Sequence, residues 1–151
     1  MINTTELGPS ITTALQIALF LQFQRLGVTP ATAIGHSTGE VAAAFAAGYL
    51  SLREAVVIAY YYGYVTRQLK NGGMAAVSLG KEEVRGFLEG GVVVACENSP
   101  SSTTLSGDWP ALEKVLQSIK LAHPSIKPSR LRVDVAYHSC KYYICVRRQD
   151  I

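Results

Sequence analysis

Cysteine is scarce in this chain: Cys96, Cys140 and Cys145 are the only three among 151 residues. An odd count without metal-ligand spacing argues against a disulfide-stapled scaffold and against a zinc site, and a reduced, cytoplasmic setting is expected. Charge is sparse too, at 17% of residues, and the formal net charge is only +3. Two of those units come from the last eleven residues, where Lys141, Arg147 and Arg148 face Asp150 alone. The remainder is almost neutral, so neither nucleic acid nor a membrane surface is an expected partner. Long hydrophobic runs are missing as well. The stretch Ala14 to Leu21 is broken by Gln16 and followed by Gln22, Gln24 and Arg25, much too short for a membrane span. Met1 to Ser10 lacks the basic patch and apolar core of a signal peptide. No repeat or low-complexity tract is present.

What remains is a chain that is 48% hydrophobic, about the size of one domain and long enough to bury a core. Ile11, Leu15, Ala18, Leu19, Gln22 and Leu26 recur at helical spacing, and Gly27 ends the run. That helix is expected to pack, by this face, beside the segment that follows. Val28 to Ile34 reads as a short strand, and the alanine-rich Val41 to Ala47 as a helix stopped by Gly48. Ser51 and Glu54 have capping-box spacing and open a helix to about Leu69. Asn71-Gly72-Gly73 then reads as a flexible break. Beyond it the expected elements are a strand over Met74 to Leu79, a helix over Lys81 to Leu88, a strand over Val92 to Glu97 and another over Ser102 to Ser106. A helix capped by Asp108 to Ile119 and a last alternating strand, Leu131 to Tyr137, complete the series. That order is the ferredoxin-like split βαβ order. The expected divisions are residues 1–72, 73–137 and 138–151.

The chemistry centres on Gly35-His36-Ser37-Thr38-Gly39. Gly-x-Ser-x-Gly places a serine on a strand-to-helix elbow, where Gly35 and Gly39 carry no β-carbon to obstruct the close approach of strand and helix. The N–H groups opening the next helix lack intrahelical partners and point at any negative charge forming near Ser37. A serine hydroxyl needs a base. His36 adjoins Ser37 and reads as a packing or turn residue, and His123 lies in a loop and reads as solvated. His138 closes a strand and is the candidate by position. No acidic residue is convincingly placed as a third member, since Asp134 alternates to a strand face and Asp108 reads as a cap. On spacing alone, structural and catalytic readings of Ser37 and His138 both stand.

Gly35-His36-Ser37-Thr38-Gly39-Glu40 and the alanine-rich segment after it resemble the Gly-His-Ser-x-Gly-Glu signature of the malonyl-transferase-like acyltransferases of fatty acid and polyketide synthases. Val135-Ala136-Tyr137-His138-Ser139 resembles that family's second landmark, with His138 lying 101 positions beyond Ser37 (138 minus 37). Asn98-Ser99-Pro100-Ser101-Ser102 and Leu105-Ser106-Gly107 resemble its small subdomain, especially in fungal iterative, highly reducing type I synthases. The resemblance implies a partial α/β-hydrolase-like large subdomain with an inserted ferredoxin-like small one. It implies Ser37 as nucleophile, His138 as base and the Thr38 N–H as an oxyanion donor. It further implies an acyl-coenzyme A substrate, the phosphopantetheine thiol of an acyl carrier protein as acceptor, neighbouring synthase domains as partners, and no bound cofactor or metal. Acyl-selectivity candidates are Tyr62, His36, Ala136 and Tyr137.

Three departures from the family pattern stand out. Its upstream Gly-Gln-Gly loop is expected to precede Met1. In Ala59-Tyr60-Tyr61-Tyr62-Gly63, Tyr62 occupies the position where malonyl-loading relatives carry a carboxylate-binding arginine, and Arg67 is too far round the helix to replace it. The tail from Cys140 to Ile151 matches nothing in the pattern, and a truncated or mis-spliced product is the simplest expectation. An inactive remnant and a serine acyl hydrolase or thioesterase remain the alternative readings.

Overall fold

The computed structural model describes residues 6–66, 69 and 71–140. The chain divides into two compact units, Met1–Arg67 and Gln68–Ile151.

The first unit is helical. Helix α1 spans Gly8–Arg25, α2 spans Gly39–Ala46 and α3 spans Leu52–Thr66, and each packs on the other two. Pro9 sits in the first turn of α1, where its missing N–H costs nothing, and Gly27, at φ +80°, ends the run beyond its C-terminus. The buried residues of α1 are Pro9, Thr13 and Ile17, and those of α3 are Ala55, Ala59, Gly63 and Thr66. Both stripes run mainly at four-residue spacing, so each forms one ridge along its helix. Small residues on the α3 ridge allow close approach: a β-carbon on Gly63 would overlap the Glu6 carbonyl. Phe20 meets Phe45 of α2 edge to face at 5.9 Å between ring centroids. At the start of α3 the Ser51 N–H donates to Glu54 Oε2 at 2.8 Å, and the Glu54 N–H donates to Ser51 Oγ at 3.3 Å. The expected capping box is therefore formed, and the helix ends before Leu69.

Two expectations for this unit fail. The face of α1 chosen from periodicity is the outer one, with Leu15 60% and Leu26 69% exposed. Apolar residues surround this helix on every side, so spacing cannot select a face. Val28 to Ile34 forms no strand, and Ile34 is 91% exposed. An extended segment becomes a strand only against a hydrogen-bonding neighbour, and among the described residues this unit offers none.

The second unit is built on one antiparallel sheet in the order β2-β3-β1-β4, with β1 at Gly72–Val77, β2 at Val93–Ser99, β3 at Ser102–Asp108 and β4 at Ser129–Arg130. Helix α4 spans Lys81–Arg85, between β1 and β2, and α5 spans Trp109–Ala122, after β3. Leu112, Val115, Leu116 and Ile119 give α5 one buried stripe. It closes over Ala75, Val77 and Leu105 of the sheet, with Leu79, Val84 and Val92 completing the core. Asp108 stands at the start of α5 as expected, but its side chain makes no capping bond.

Gly72 and Gly73 are not a loose break. They are buried residues of β1, paired with Asp108 and Gly107. A β-carbon on Gly73 would overlap the Trp109 indole, whose ring lies 5.0 Å from the Arg130 guanidinium. Arg130 also pairs with Glu113 of α5, fastening β4 to that helix. The last strand is displaced from its expected place. Only Ser129 and Arg130 pair regularly, with Ala76 and Ala75. The Leu131 N–H still reaches the Met74 carbonyl at 2.9 Å, and the Gly72 N–H reaches the Asp134 carbonyl at 3.2 Å. Two steps along β1, Met74 to Gly72, thus face three along its partner, Leu131 to Asp134. One extra residue bulges out and breaks the ladder. The expected alternation fails with it, and Val135 and Ala136 are buried in succession.

Candidate active site

Ser37 lies on the turn that leads into α2. The Gly39 N–H donates to the His36 carbonyl at 3.0 Å, the Glu40 N–H to the Ser37 carbonyl at 3.1 Å and the Val41 N–H to the Thr38 carbonyl at 3.4 Å. Three successive i to i+3 bonds wind the chain tightly as the helix starts. Ser37 takes φ +55°, the left-handed region that residues with a β-carbon rarely occupy. Such a conformation costs about 1–3 kcal/mol and persists only where its surroundings impose it. Gly35 is part of the imposition: a β-carbon there would overlap the Gly39 and Glu40 backbone. Gly39 differs from expectation, because a β-carbon there would meet only Gln16 Nε2, at an ordinary 3.6 Å. The sharpness of the elbow is therefore set by Gly35.

The Ser37 side chain is exposed, and Thr38 is half-buried in helical conformation as the N-cap of α2. Among the described residues the Thr38 N–H donates to no backbone acceptor. It remains available, with the positive end of α2 behind it, to an oxygen that gains charge beside Ser37. His36 is exposed on the same turn, its carbonyl bonded to the Gly39 N–H. Tyr62 is half-buried on α3, and its carbonyl accepts the Thr66 hydroxyl at 2.8 Å. Arg67 lies outside the described residues.

In the second unit, the bulged segment after β4 leads to His138. Ala136 presses on the sheet so closely that a β-carbon on Gly72 would overlap the Ala136 N–H nitrogen. Three residues on, the Ser139 hydroxyl donates to the Ala136 carbonyl at 2.7 Å. Between them Tyr137 and His138 are half-buried, and His138 takes φ +60°. The candidate nucleophile and the candidate base thus each occupy a left-handed turn residue held by a glycine-permitted close approach in its own unit. Asp134 is exposed, and its carbonyl, bonded to the Gly72 N–H, anchors the turn. His123 is not simply solvated: it ends α5 half-buried, with its ring 5.9 Å from that of Phe87.

Two residues near these turns escaped the sequence reading. Gln16, noted only for interrupting an apolar run, lies beside Gly39 with its Oε1 buried and unpartnered among the described residues. The single amide within the apolar run Ala14 to Leu21 was the available signal. Ser139, seen only as the end of a motif, is 3% exposed and ties the His138 turn. Among the described residues no group of three His, Cys, Asp or Glu side chains is placed to hold a metal. Nor is any helix there long and apolar enough to cross a membrane.

The family model for the acyl transferase domain matches residues 3–149, and the chain belongs to that family of transferases. It is 50% identical over 139 residues to the highly reducing polyketide synthase FUM1 of Gibberella moniliformis, an alignment covering 91% of this chain and 5% of that protein. It is 48% identical to the highly reducing polyketide synthase gloL of Glarea lozoyensis, with 91% and 6% covered. Among solved structures it resembles the acyltransferase domain from the second module of the salinomycin polyketide synthase, at TM-score 0.88 and 37% identity, covering 97% of this chain and 35% of that one. A loading acyltransferase from the avermectin modular polyketide synthase matches at TM-score 0.82 and 28% identity, covering 90% and 45%. The chain thus spans a small part of its curated relatives and about a third of the first of these structures.

Proposed function

We propose that the chain carries the nucleophile and base of an acyltransferase that moves an acyl group from acyl-coenzyme A, through a seryl ester on Ser37, to the phosphopantetheine thiol of an acyl carrier protein in polyketide assembly. The observation that carries this reading is the 35–40 turn, where an exposed serine at φ +55° precedes a Thr38 N–H that, among the described residues, donates to no backbone acceptor at a helix start.

In the first half-reaction the Ser37 Oγ–H proton passes to His138 as the Oγ–acyl bond forms. The thioester C–S bond then breaks, and the coenzyme A sulfur leaves with the proton that His138 returns. In the second half the carrier thiol gives its proton to His138 and attacks the ester carbonyl. The Oγ–acyl bond breaks and Ser37 regains a proton. The Thr38 N–H stabilises the oxyanion in both halves. Coenzyme A and phosphopantetheine arrive as substrate and acceptor, and no resident cofactor is needed. The setting is a cytoplasmic multidomain synthase whose neighbouring domains are partners. Within it the first unit is part of an α/β-hydrolase-like subdomain and the four-stranded sheet a ferredoxin-like insertion. The candidates for acyl selectivity are His36, beside Ser37, and Tyr62 in the first unit, and Ala136 and Tyr137, before His138, in the second. Tyr62 supplies a neutral donor where a malonyl carboxylate calls for a charged fork, which favours an uncharged acyl group.

The test is acyl transfer by the full-length protein that carries this chain, with labelled malonyl- and acetyl-coenzyme A and a phosphopantetheinylated carrier protein. Label is expected to pass through the enzyme to the carrier, and Ser37→Ala to abolish both steps. Absence of transfer with either donor rejects the reading. Free-acid release indifferent to carrier would instead mark a hydrolase.

A further inference from the structure

The His138 turn holds one buried polar group to which the proposed chemistry assigns no task, the Ser139 hydroxyl. We propose that Ser139 is a positioning residue: its bond to the Ala136 carbonyl holds His138 in its left-handed conformation and so sets the direction of the imidazole. The inference rests on His138 being the base.

The observations form a short mechanical chain. Gly72, lacking a β-carbon, lets Ala136 seat directly on β1, and the Gly72 N–H holds the Asp134 carbonyl at 3.2 Å. Ala136 is thereby fixed to the sheet, at 5% exposure. From that fixed point the Ser139 Oγ–H reaches the Ala136 carbonyl at 2.7 Å and closes a loop of four residues around Tyr137 and His138. A histidine at φ +60° sits in a sparsely populated region and reverts to an ordinary turn unless both sides of it are held. Gly72 secures the upstream side and Ser139 the downstream side. At 3% exposure Ser139 is closed to solvent, so water does not readily replace its hydroxyl. Because the Cα–Cβ direction turns with the backbone, loss of the bond swings the imidazole. A displacement of about 1 Å at a base costs on the order of 10²-fold in rate.

The experiment compares Ser139→Ala, Ser139→Cys and Ser139→Thr in the full-length protein. Alanine removes the donor, cysteine keeps the volume with a weak donor, and threonine keeps the hydroxyl. The expected result is a fall in kcat for acyl transfer of about 10²-fold in the alanine variant, with KM for the acyl donor unchanged, a displaced pH–rate profile, and recovery with threonine. Cysteine keeps the turn filled if alanine unfolds it, and should show the same loss of kcat. A wild-type kcat and pH profile in a folded alanine or cysteine variant overturns the proposal. A second readout does not depend on transfer. The rate of carbethoxylation of His138 by diethylpyrocarbonate, followed by peptide mass spectrometry, should change in Ser139→Ala as the imidazole turns, and an unchanged rate overturns the proposal. Failure of wild-type protein to acylate Ser37 strikes the functional reading alone.

Discussion

Gly35 lies against the backbone of Glu40 so closely that a β-carbon on the glycine would occupy the space of the Glu40 nitrogen. Backbone cannot move aside as a flexible side chain can. Gly35→Ala should therefore destabilise the fold by about 1–3 kcal/mol and open the elbow, lowering acylation of Ser37. Gly39→Ala is the contrast, since its β-carbon meets only Gln16 Nε2 at 3.6 Å. Alanine is also the better helix former by about 0.5–1 kcal/mol, so this variant should keep or gain stability. Thermal unfolding of the two variants beside the parent checks the pair.

The Ser51–Glu54 capping box makes the start of α3 sensitive to acid. Hydrogen bonds from the Ser51 hydroxyl and N–H hold the Glu54 carboxyl below its ordinary value of 4.5. A depressed carboxyl stabilises the folded state above its unfolded value and stops doing so as pH falls through its lower folded value. The stability difference between the parent and Glu54→Ala should thus be present at neutral pH and vanish in acid below 4.5. Unfolding curves collected across that window check this, and a difference that persists in acid would contradict it.

Acyl choice should respond to Tyr62. Replacing it by arginine supplies a charged, bidentate donor. A hydrogen bond to a charged group is worth about 1.5–3 kcal/mol, or about 10- to 100-fold. Tyr62→Arg should raise the ratio of malonyl to acetyl transfer by about that factor in a competition assay.

Two cysteines should differ in reactivity. Burial pushes the Cys96 thiol above its ordinary value of 9.0, whereas Cys140 is exposed. Since the thiolate is the reacting species, iodoacetamide should modify Cys140 well before Cys96 at mildly alkaline pH. Peptide mass spectrometry reads the order. Cys145 lies outside the described residues.

What could be read from sequence was local chemistry. The elbow, the capping box and the glycine that ends α1 each depend on residues within a few positions of one another, and all are present. What failed depended on partners. The α1 face was misassigned because Ile11, Leu15, Ile17 and Phe20 leave no polar side to mark the outside. Val28 to Ile34 has a strand's composition but no neighbour to pair with among the described residues of its unit. The slip between Leu131 and Asp134 has no local signature, because an alternating pattern is blind to one inserted residue. Asn71-Gly72-Gly73 read as looseness, yet two of the three are glycine because Ala136 and Trp109 lie where side chains would go. The role of Ser139 was hidden for the same reason, since its partner carbonyl is visible only once the turn is built.

Acylation of Ser37 bears most directly on the function. The full-length protein carrying this chain is incubated with malonyl- or acetyl-coenzyme A without carrier, digested, and its peptides mapped for the added mass. An ester on Ser37 that disappears on addition of carrier protein, and that never forms in Ser37→Ala, is the predicted result. A map with Ser37 unmodified by either donor, or with the acyl group on another residue, would contradict it.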